Sequence, residues 1–145
     1  MIMRKFLLIL VAASAPLAAQ NAPAGFEAAR TTPLAAGQWS YAATASGSEA
    51  RFGERFVIRC DRNARRVTLR RIELVMTAPA TAMIVTTDLA THTVPAHGVV
   101  ANTDRVLDAI AFSRGRFIVN GGGSGSQLVA PVSPEAARSI EDCRN

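Results

Sequence analysis

Two neighbouring stretches decide the fold of this chain: Arg55-Phe-Val-Ile-Arg-Cys-Asp61 and Arg66-Val-Thr-Leu-Arg-Arg71. Each places apolar residues at every second position, which is typical of a β-strand with one buried face. The intervening residues 62–65 have the length and composition of a four-residue hairpin loop. We therefore predict an antiparallel strand pair at the centre of the chain.

The side-chain pattern also selects the register of this pair. If Asp61 lies opposite Arg66, the apolar residues share one face and the charged residues share the other. The apolar face then holds Phe56, Ile58, Cys60, Val67 and Leu69, and the opposite face holds Arg55, Arg59, Thr68 and Arg70. A slip of one residue would mix the two sets. Cys60 is thus expected in the core.

The first nineteen residues have the layout of a Sec-type signal peptide. Met1–Lys5 carries two positive charges, residues 6–13 are apolar, and small residues follow Pro16. This apolar run is too short to span a bilayer. We expect residues 1–19 to be a leader, the mature chain to begin near Gln20, and the protein to be periplasmic or secreted.

About 125 residues remain, which fits one small domain. We expect no lipid anchor, because no cysteine lies near the predicted cleavage region, and no later membrane span. Residues 20–37 are rich in Ala, Pro and Thr and are expected to form a mobile arm, with a weak signal for a helix over 24–30. Residues 38–145 are expected to form a single β-rich domain.

The chain has two cysteines, Cys60 and Cys143. In an oxidising compartment an even count predicts a disulfide bond, which here would close a loop of more than eighty residues. Loop-closure entropy makes such a bond worth about 4–5 kcal/mol. Two buried free thiols are the alternative. A redox role is not indicated, because the chain has no C-x-x-C motif.

The remaining pattern predicts further short strands and two helices. A helix over Thr103–Phe112, capped by Asn102 or Thr103, and a helix opened by Ser133-Pro134 both bury one stripe. The further strand candidates are Gln38–Ala45, Glu49–Gly53, Glu73–Met76, Met83–Asp88, His92–Pro95, Val99–Asn102, Arg116–Asn120 and Gln127–Val132, with turns at 46–48 and 121–126. The fold class is therefore α+β: a small antiparallel β-sandwich or partly closed sheet of about seven to nine strands with two short helices.

Arginine is the only cation of the predicted mature chain, because Lys5 is the sole lysine. The formal charge of +5 falls to about +3 once the leader is removed. The candidate anion-binding residues are Arg55, Arg59, Arg66 and Arg70, with Arg51, Arg62 and Arg65 nearby. Guanidinium groups crowded on one sheet face repel each other, and an acidic envelope polymer, a lipid headgroup or an acidic protein would relieve this repulsion. The alternative is a solvated face whose charges prevent edge aggregation.

Catalytic and metal motifs are weak. His92 or His97 with Asp88 and a serine could serve a small hydrolase, but two histidines do not complete a zinc site. The glycine-rich residues 121–126 lack the lysine and following helix of a phosphate loop. We therefore expect no enzyme activity, no cofactor and no metal, with the hydrolase and a purely structural envelope protein as alternatives.

Trp39 is a candidate ligand anchor, although a large aromatic residue that opens a strand more commonly joins a core. Nucleic acid is not an expected partner, because stacking aromatic residues do not accompany the arginines in sequence.

Four segments carry a resemblance to known proteins: Trp39-Ser-Tyr41, Phe56-Val-Ile-Arg-Cys-Asp61, residues 107–117, and Ile140-Glu-Asp-Cys-Arg144. Their order resembles a group of short exported proteobacterial proteins that have no assigned function. More distantly, it is similar to the invasion-associated locus B family and a type VI secretion-associated accessory family. The resemblance implies a small β-sandwich-like periplasmic domain without known catalysis. No functional residue carries over from it.

Overall fold

The computed structural model describes residues 22–72 and 81–145, which form a two-sheet antiparallel sandwich with three helices. The elements in chain order are α1 (Ala24–Ala28), β1 (Trp39–Thr44), β2 (Gly47–Phe52), β3 (Phe56–Asp61), β4 (Arg66–Arg71), β5 (Met83–Thr86), β6 (Thr91–Val94), β7 (Val99–Ala101), α2 (Arg105–Phe112), β8 (Arg116–Gly121), β9 (Ser124–Pro131) and α3 (Pro134–Asp142). Sheet A has the order β1-β2-β3-β4-β7, and sheet B has the order β6-β5-β8-β9. The predicted fold class is confirmed. The predicted leader and the predicted strand Glu73–Met76 lie outside the described residues.

The central hairpin has the register that the side-chain pattern selects. Asp61 lies opposite Arg66, and Cys60 lies opposite Val67. The predicted apolar face is buried throughout: Phe56, Ile58, Cys60, Val67 and Leu69 are all fully inaccessible to solvent. Burial of one face therefore fixes this register, because a slip of one residue would bury the arginines.

The core lies between the inner faces of the two sheets and is closed by α2 and α3. Trp39 joins it from the start of β1, with its ring 5.5 Å from the ring of Phe52 and 6.3 Å from that of Phe117. Its indole Nε1 donates to the carbonyl oxygen of Pro131 at 2.8 Å. Trp39 is thus a packing residue that connects the two sheets.

The predicted turn at residues 46–48 is wrong in its position. Gly47 and Ser48 already belong to β2, where Gly47 pairs with both Thr44 and Asp61. A Cβ atom at Gly47 would collide with the carbonyl oxygen of Cys60. This glycine therefore permits close approach of two strands and does not mark a turn.

The helix α2 starts two residues later than predicted. Its N-cap is Asp104, whose Oδ1 accepts from the amide of Val106 at 2.9 Å, so the expected capping by Asn102 or Thr103 is wrong. Asn102 is buried instead, and its Nδ2 donates to the carbonyl oxygen of Cys143 at 2.8 Å. A side chain that pattern analysis reads as a cap thus anchors the end of α3.

Helix α3 begins as predicted. The Oγ of Ser133 accepts from the amide of Ala136 at 3.1 Å, and Pro134 occupies the first helical turn. The buried Oγ atoms of Ser48 and Ser139 lie 3.1 Å apart. This polar pair seats α3 on the inner face of sheet A.

The turn in the glycine-rich segment is shorter than the predicted turn over residues 121–126. Strands β8 and β9 extend to Gly121 and Ser124, which pair with each other and leave Gly122 and Gly123 as the turn. All three glycines have positive φ, a conformation that L-residues with side chains rarely adopt. The glycines therefore serve a tight hairpin.

The segment before β1 is packed on the outer face of sheet B. Phe26 and Ala29 of this segment are buried against Ile118 and Val129. The Nη1 atom of Arg116 donates to the carbonyl oxygens of Ala29 at 2.9 Å and Thr32 at 2.6 Å. The short helix signalled at residues 24–30 is present as α1, and its mobility stays a prediction.

The two cysteines form the predicted disulfide bond, with their Cα atoms 5.4 Å apart and 83 positions apart in sequence. Both cysteines are buried, and no described cysteine is free. The bond joins β3, in the middle of sheet A, to Cys143, the C-cap residue of α3. The alternative of two free thiols is wrong.

Replacing both Cys60 and Cys143 by alanine is expected to lower the free energy of unfolding by about 4 kcal/mol, because the unfolded chain loses a long covalent loop. Urea unfolding followed by circular dichroism measures this difference. The wild-type protein in reductant is the matched control and should unfold like the variant. Equal midpoints for the wild-type protein with and without reductant would contradict the expectation.

Candidate functional site

The predicted arginines lie on the outer face of sheet A, where strand alternation directs the side chains that are not buried. Arg59 of β3 and Arg70 of β4 flank this surface, and the Arg59 side chain is 61% exposed. Because Arg51 of β2 has the same orientation, it joins them. We call this surface the arginine face and define it by the strand residues Arg51, Arg59, Arg66 and Arg70 together with Arg55. Arg55 lies just before β3, not within it as predicted, and its carbonyl oxygen accepts from the amide of Ile72 at 2.9 Å, which continues the pairing of β3 with β4.

Two other arginines that the sequence placed nearby lie in the turn between β3 and β4. Arg62 donates through Nε to the carbonyl oxygen of Asp142 at 3.0 Å. Arg65 has a φ of 52°, which is unusual for a residue with a side chain. These two residues border the arginine face and are not part of its centre.

Glu49 is the residue of this site that sequence reasoning missed. One of its carboxylate oxygens accepts from Arg59 Nη2 at 2.8 Å and Nε at 2.9 Å, and the other accepts from Arg51 at 3.2 Å. The expectation that the arginines simply repel one another is therefore incomplete, because two of them share a carboxylate. The signal was the cross-strand pair of Glu49 and Arg59, which is visible only once β2 is aligned with β3.

Two opposing effects act on the pKa of Glu49. Burial of its side chain, which is only 13% exposed, raises the pKa, whereas the hydrogen bonds and positive charges of Arg51 and Arg59 lower it. The arginines outweigh burial, so the pKa of Glu49 lies below its usual range. Glu49 is therefore ionised at neutral pH and fixes the positions of two guanidinium groups.

A shallow depression of about 190 Å³ lies at the centre of the arginine face. It is lined by Glu49, Val57, Arg59, Thr68 and Arg70. Val57 points outward yet is only 3% exposed, since it lies between Arg51 and Arg70 across the sheet. Arginine side chains have aliphatic stems that can cover an apolar neighbour while the charged end reaches solvent. Of the two, Arg70 also lines the depression.

Three arginines of this face have guanidinium groups that form no hydrogen bond or ion pair within the described residues 22–72 and 81–145. They are Arg55, Arg66 and Arg70. The five arginines of this face outnumber its acids, which are Glu49, Asp61 and Glu54, the last paired with Arg51 at 3.4 Å, so positive charge is in excess. The arrangement can bind anions at Arg70 without first breaking an internal ion pair.

The residues of the hydrolase alternative are not brought together by hydrogen bonds. Asp88 accepts from the amide of Arg114 at 3.2 Å and pairs with its Nε at 3.3 Å. His97 accepts through Nδ1 from the amide of Val99 at 3.1 Å, and His92 lies on β6. No cluster of three metal-binding side chains occurs in the described part of the chain.

A second polar cluster holds α3 against β1. The Oη of Tyr41 donates to Oδ2 of Asp142 at 2.6 Å, and Arg138 lies 4.1 Å above the centre of the Tyr41 ring. Burial raises the pKa of Asp142, whereas hydrogen bonds from Tyr41 and Ser48 and the charges of nearby arginines lower it. The lowering effects are larger, so the pKa of Asp142 lies below its usual range. This cluster secures the helix whose last turn carries the disulfide bond.

Arg71 is a buried arginine at the opposite end of the sandwich. Its Nη1 donates to the carbonyl oxygens of Val119 at 3.0 Å and Ser126 at 2.7 Å, and its Nη2 donates to the Oγ of Ser126 at 3.1 Å. It is only 3% exposed and faces the core side of β4. Sequence reasoning did not identify Arg71. The available signal was that Arg71 shares the buried phase of β4 with Val67 and Leu69.

Comparisons with protein-family models, curated proteins and solved structures found nothing that matches this chain. The resemblance to exported proteobacterial proteins therefore stays a prediction. Among the helices of residues 22–72 and 81–145, none has the length and apolar character needed to cross a bilayer.

Acidification is expected to destabilise the protein through Glu49 and Asp142. Because the pKa of each lies below its unfolded value of about 4, their contribution is present above that value and is lost as the pH falls through the folded pKa. Tyr41→Phe should lower the free energy of unfolding by about 1 kcal/mol at neutral pH and by less below the folded pKa of Asp142, where its carboxyl group is protonated. Urea unfolding across this range measures both effects.

The Tyr41→Phe variant is its own packing control, because it keeps the ring that contacts Arg138. A loss of stability that is the same at every pH would show that the hydrogen bond to Asp142 does not set its pKa.

Proposed function

We propose that this protein is a non-catalytic binding module that engages an anionic polymer of the cell envelope through the arginine face. The proposal includes export to the periplasm or the cell exterior, which rests on the leader-like residues 1–19. An acidic protein is the other partner with matching charge.

The observation that carries the proposal is the depression between Arg59 and Arg70. Its outward-facing Val57 is buried, and one acid, Glu49, orients Arg59 while Arg70 has no ion-pair partner in the described residues. Orientation of a guanidinium group by an acid favours a ligand-binding face over a purely solvated one. Planar guanidinium groups held in place form two parallel hydrogen bonds to carboxylate, sulfate or phosphate groups.

The shape of the surface favours a polymer over a small molecule. The depression, at about 190 Å³, is smaller than the roughly 300–1,000 Å³ of small-molecule sites. Its arginines lie on adjacent strands, which are about 4.8 Å apart in a β-sheet. Each charge therefore contacts one repeating unit, and affinity comes from several weak contacts that act together. Binding of this kind is electrostatic and weakens as salt screens the charges.

Retention of the purified protein on immobilised heparin and on immobilised polygalacturonate tests the proposal. Arg70→Gln should elute at clearly lower salt than the wild-type protein, and the double variant Arg59→Glu with Arg70→Glu should not be retained. Glu49→Gln should elute at higher salt, because it removes a negative charge from the face and frees Arg59 from its ion pair. Retention on one matrix alone would identify the anionic group that is preferred.

Arg105→Gln is the matched control, since it removes the same charge from an exposed position at the start of α2. Thermal unfolding of every variant confirms that the fold is intact. If Arg105→Gln weakens retention as much as Arg70→Gln, net charge alone explains binding and the arginine face is not a site. Binding to an acidic protein from envelope extract, with no retention on either polymer, would favour the other partner.

A further inference from the structure

A larger cavity lies on the opposite side of the molecule, between α1, the turn after β5 and the start of β8. Its volume is about 450 Å³, within the range of about 300–1,000 Å³ that is typical of small-molecule sites. It shares no residue with the arginine face. No role described above uses it.

The cavity exists because α1 is fixed over the outer face of sheet B. Phe26 is buried against Ile118 and Val129 and also lines the cavity. Arg116, another lining residue, holds the chain after α1 through its Nη1 bonds to Ala29 and Thr32. One wall is therefore anchored by packing and by hydrogen bonds.

Three arginines line this cavity, and each keeps nitrogens for a ligand. Asp88, which is only 8% exposed, takes the backbone amide and the Nε of Arg114. The Nη1 and Nη2 atoms of Arg114 then have no partner in the described residues, and its side chain is 88% exposed. Arg30 and Arg116 each use only Nη1.

Charge and apolar surface together define the ligand class. The three arginines face two lining acids, Glu27 and Asp88, which leaves an excess of one positive charge. The remaining wall includes Phe26 and Leu89, and Leu89 is 65% exposed, although burial would be favourable for a side chain of this kind.

We propose that this cavity binds a small amphipathic monoanion: an organic acid whose carboxylate pairs with Arg114 and Arg116 and whose apolar body covers Phe26 and Leu89. A single carboxylate matches the excess charge, and the fork geometry of arginine matches its two oxygens. An apolar body removes the Leu89 side chain from water. The site is independent of polymer binding by the arginine face.

Calorimetric titration of the full mature protein with octanoate tests this proposal. Octanoate should bind with one-to-one stoichiometry, and octanamide, which has the same apolar body without the charge, should bind about tenfold more weakly. Arg114→Gln should weaken octanoate binding by a similar factor. NMR chemical shifts should change at Phe26 and Leu89 when octanoate is added.

Arg70→Gln is the control for charge at a distance and should leave octanoate binding unchanged. Leu89→Ser, at an exposed position that the fold does not need, should weaken octanoate and octanamide equally, since it removes only apolar contact. Equal affinity for octanoate and octanamide would overturn the proposal. The same conclusion would follow if Arg70→Gln weakened octanoate as much as Arg114→Gln, or if no shifts changed near Leu89.

Discussion

The disulfide bond between Cys60 and Cys143 is the constraint on which the arrangement of sheet A and α3 depends. It fixes the last turn of α3 to the middle of sheet A, where the buried pair of Ser48 and Ser139 and the bond from Tyr41 to Asp142 then form. A domain of this size buries a limited core, so a covalent bond across a long loop is a large part of its stability. With α3 on the inner side, the outer side of sheet A stays open and presents the arginine face.

The two candidate sites show two ways of using arginine. On sheet A, Glu49 orients Arg51 and Arg59 and leaves Arg70 without an ion-pair partner among the described residues. Beside α1, Asp88 orients Arg114 from a nearly buried position. The side chains of Arg59 and Arg114 are 61% and 88% exposed, and this exposure limits the stability that their ion pairs contribute. In both sites the acid therefore matters more for the position of the guanidinium group than for the free energy of unfolding.

Sequence reasoning succeeded where one local pattern had one solution. The register of β3 and β4 followed from the alternation of apolar residues, and the cap of α3 by Ser133 followed from the order Ser-Pro-Glu. Sequence reasoning failed where the neighbouring sequence fitted two structural roles of a residue equally well. Gly47 suits a turn as well as a crowded strand, and Asn102 suits a cap as well as a buried bond to α3, so only contacts distant in sequence decide between them.

The sequence by itself determined the β-rich class, the buried face of the central hairpin and the exposed arginines on its other face, because these depend on a period of two along one strand. Tertiary structure alone decided that Glu49 neutralises part of that face and that Arg71 is buried between the sheets. It also decided that α1, Asp88 and Arg114 surround one cavity. The physical reason is that these contacts join segments whose relative positions are set by sheet pairing and core packing, which no local pattern encodes.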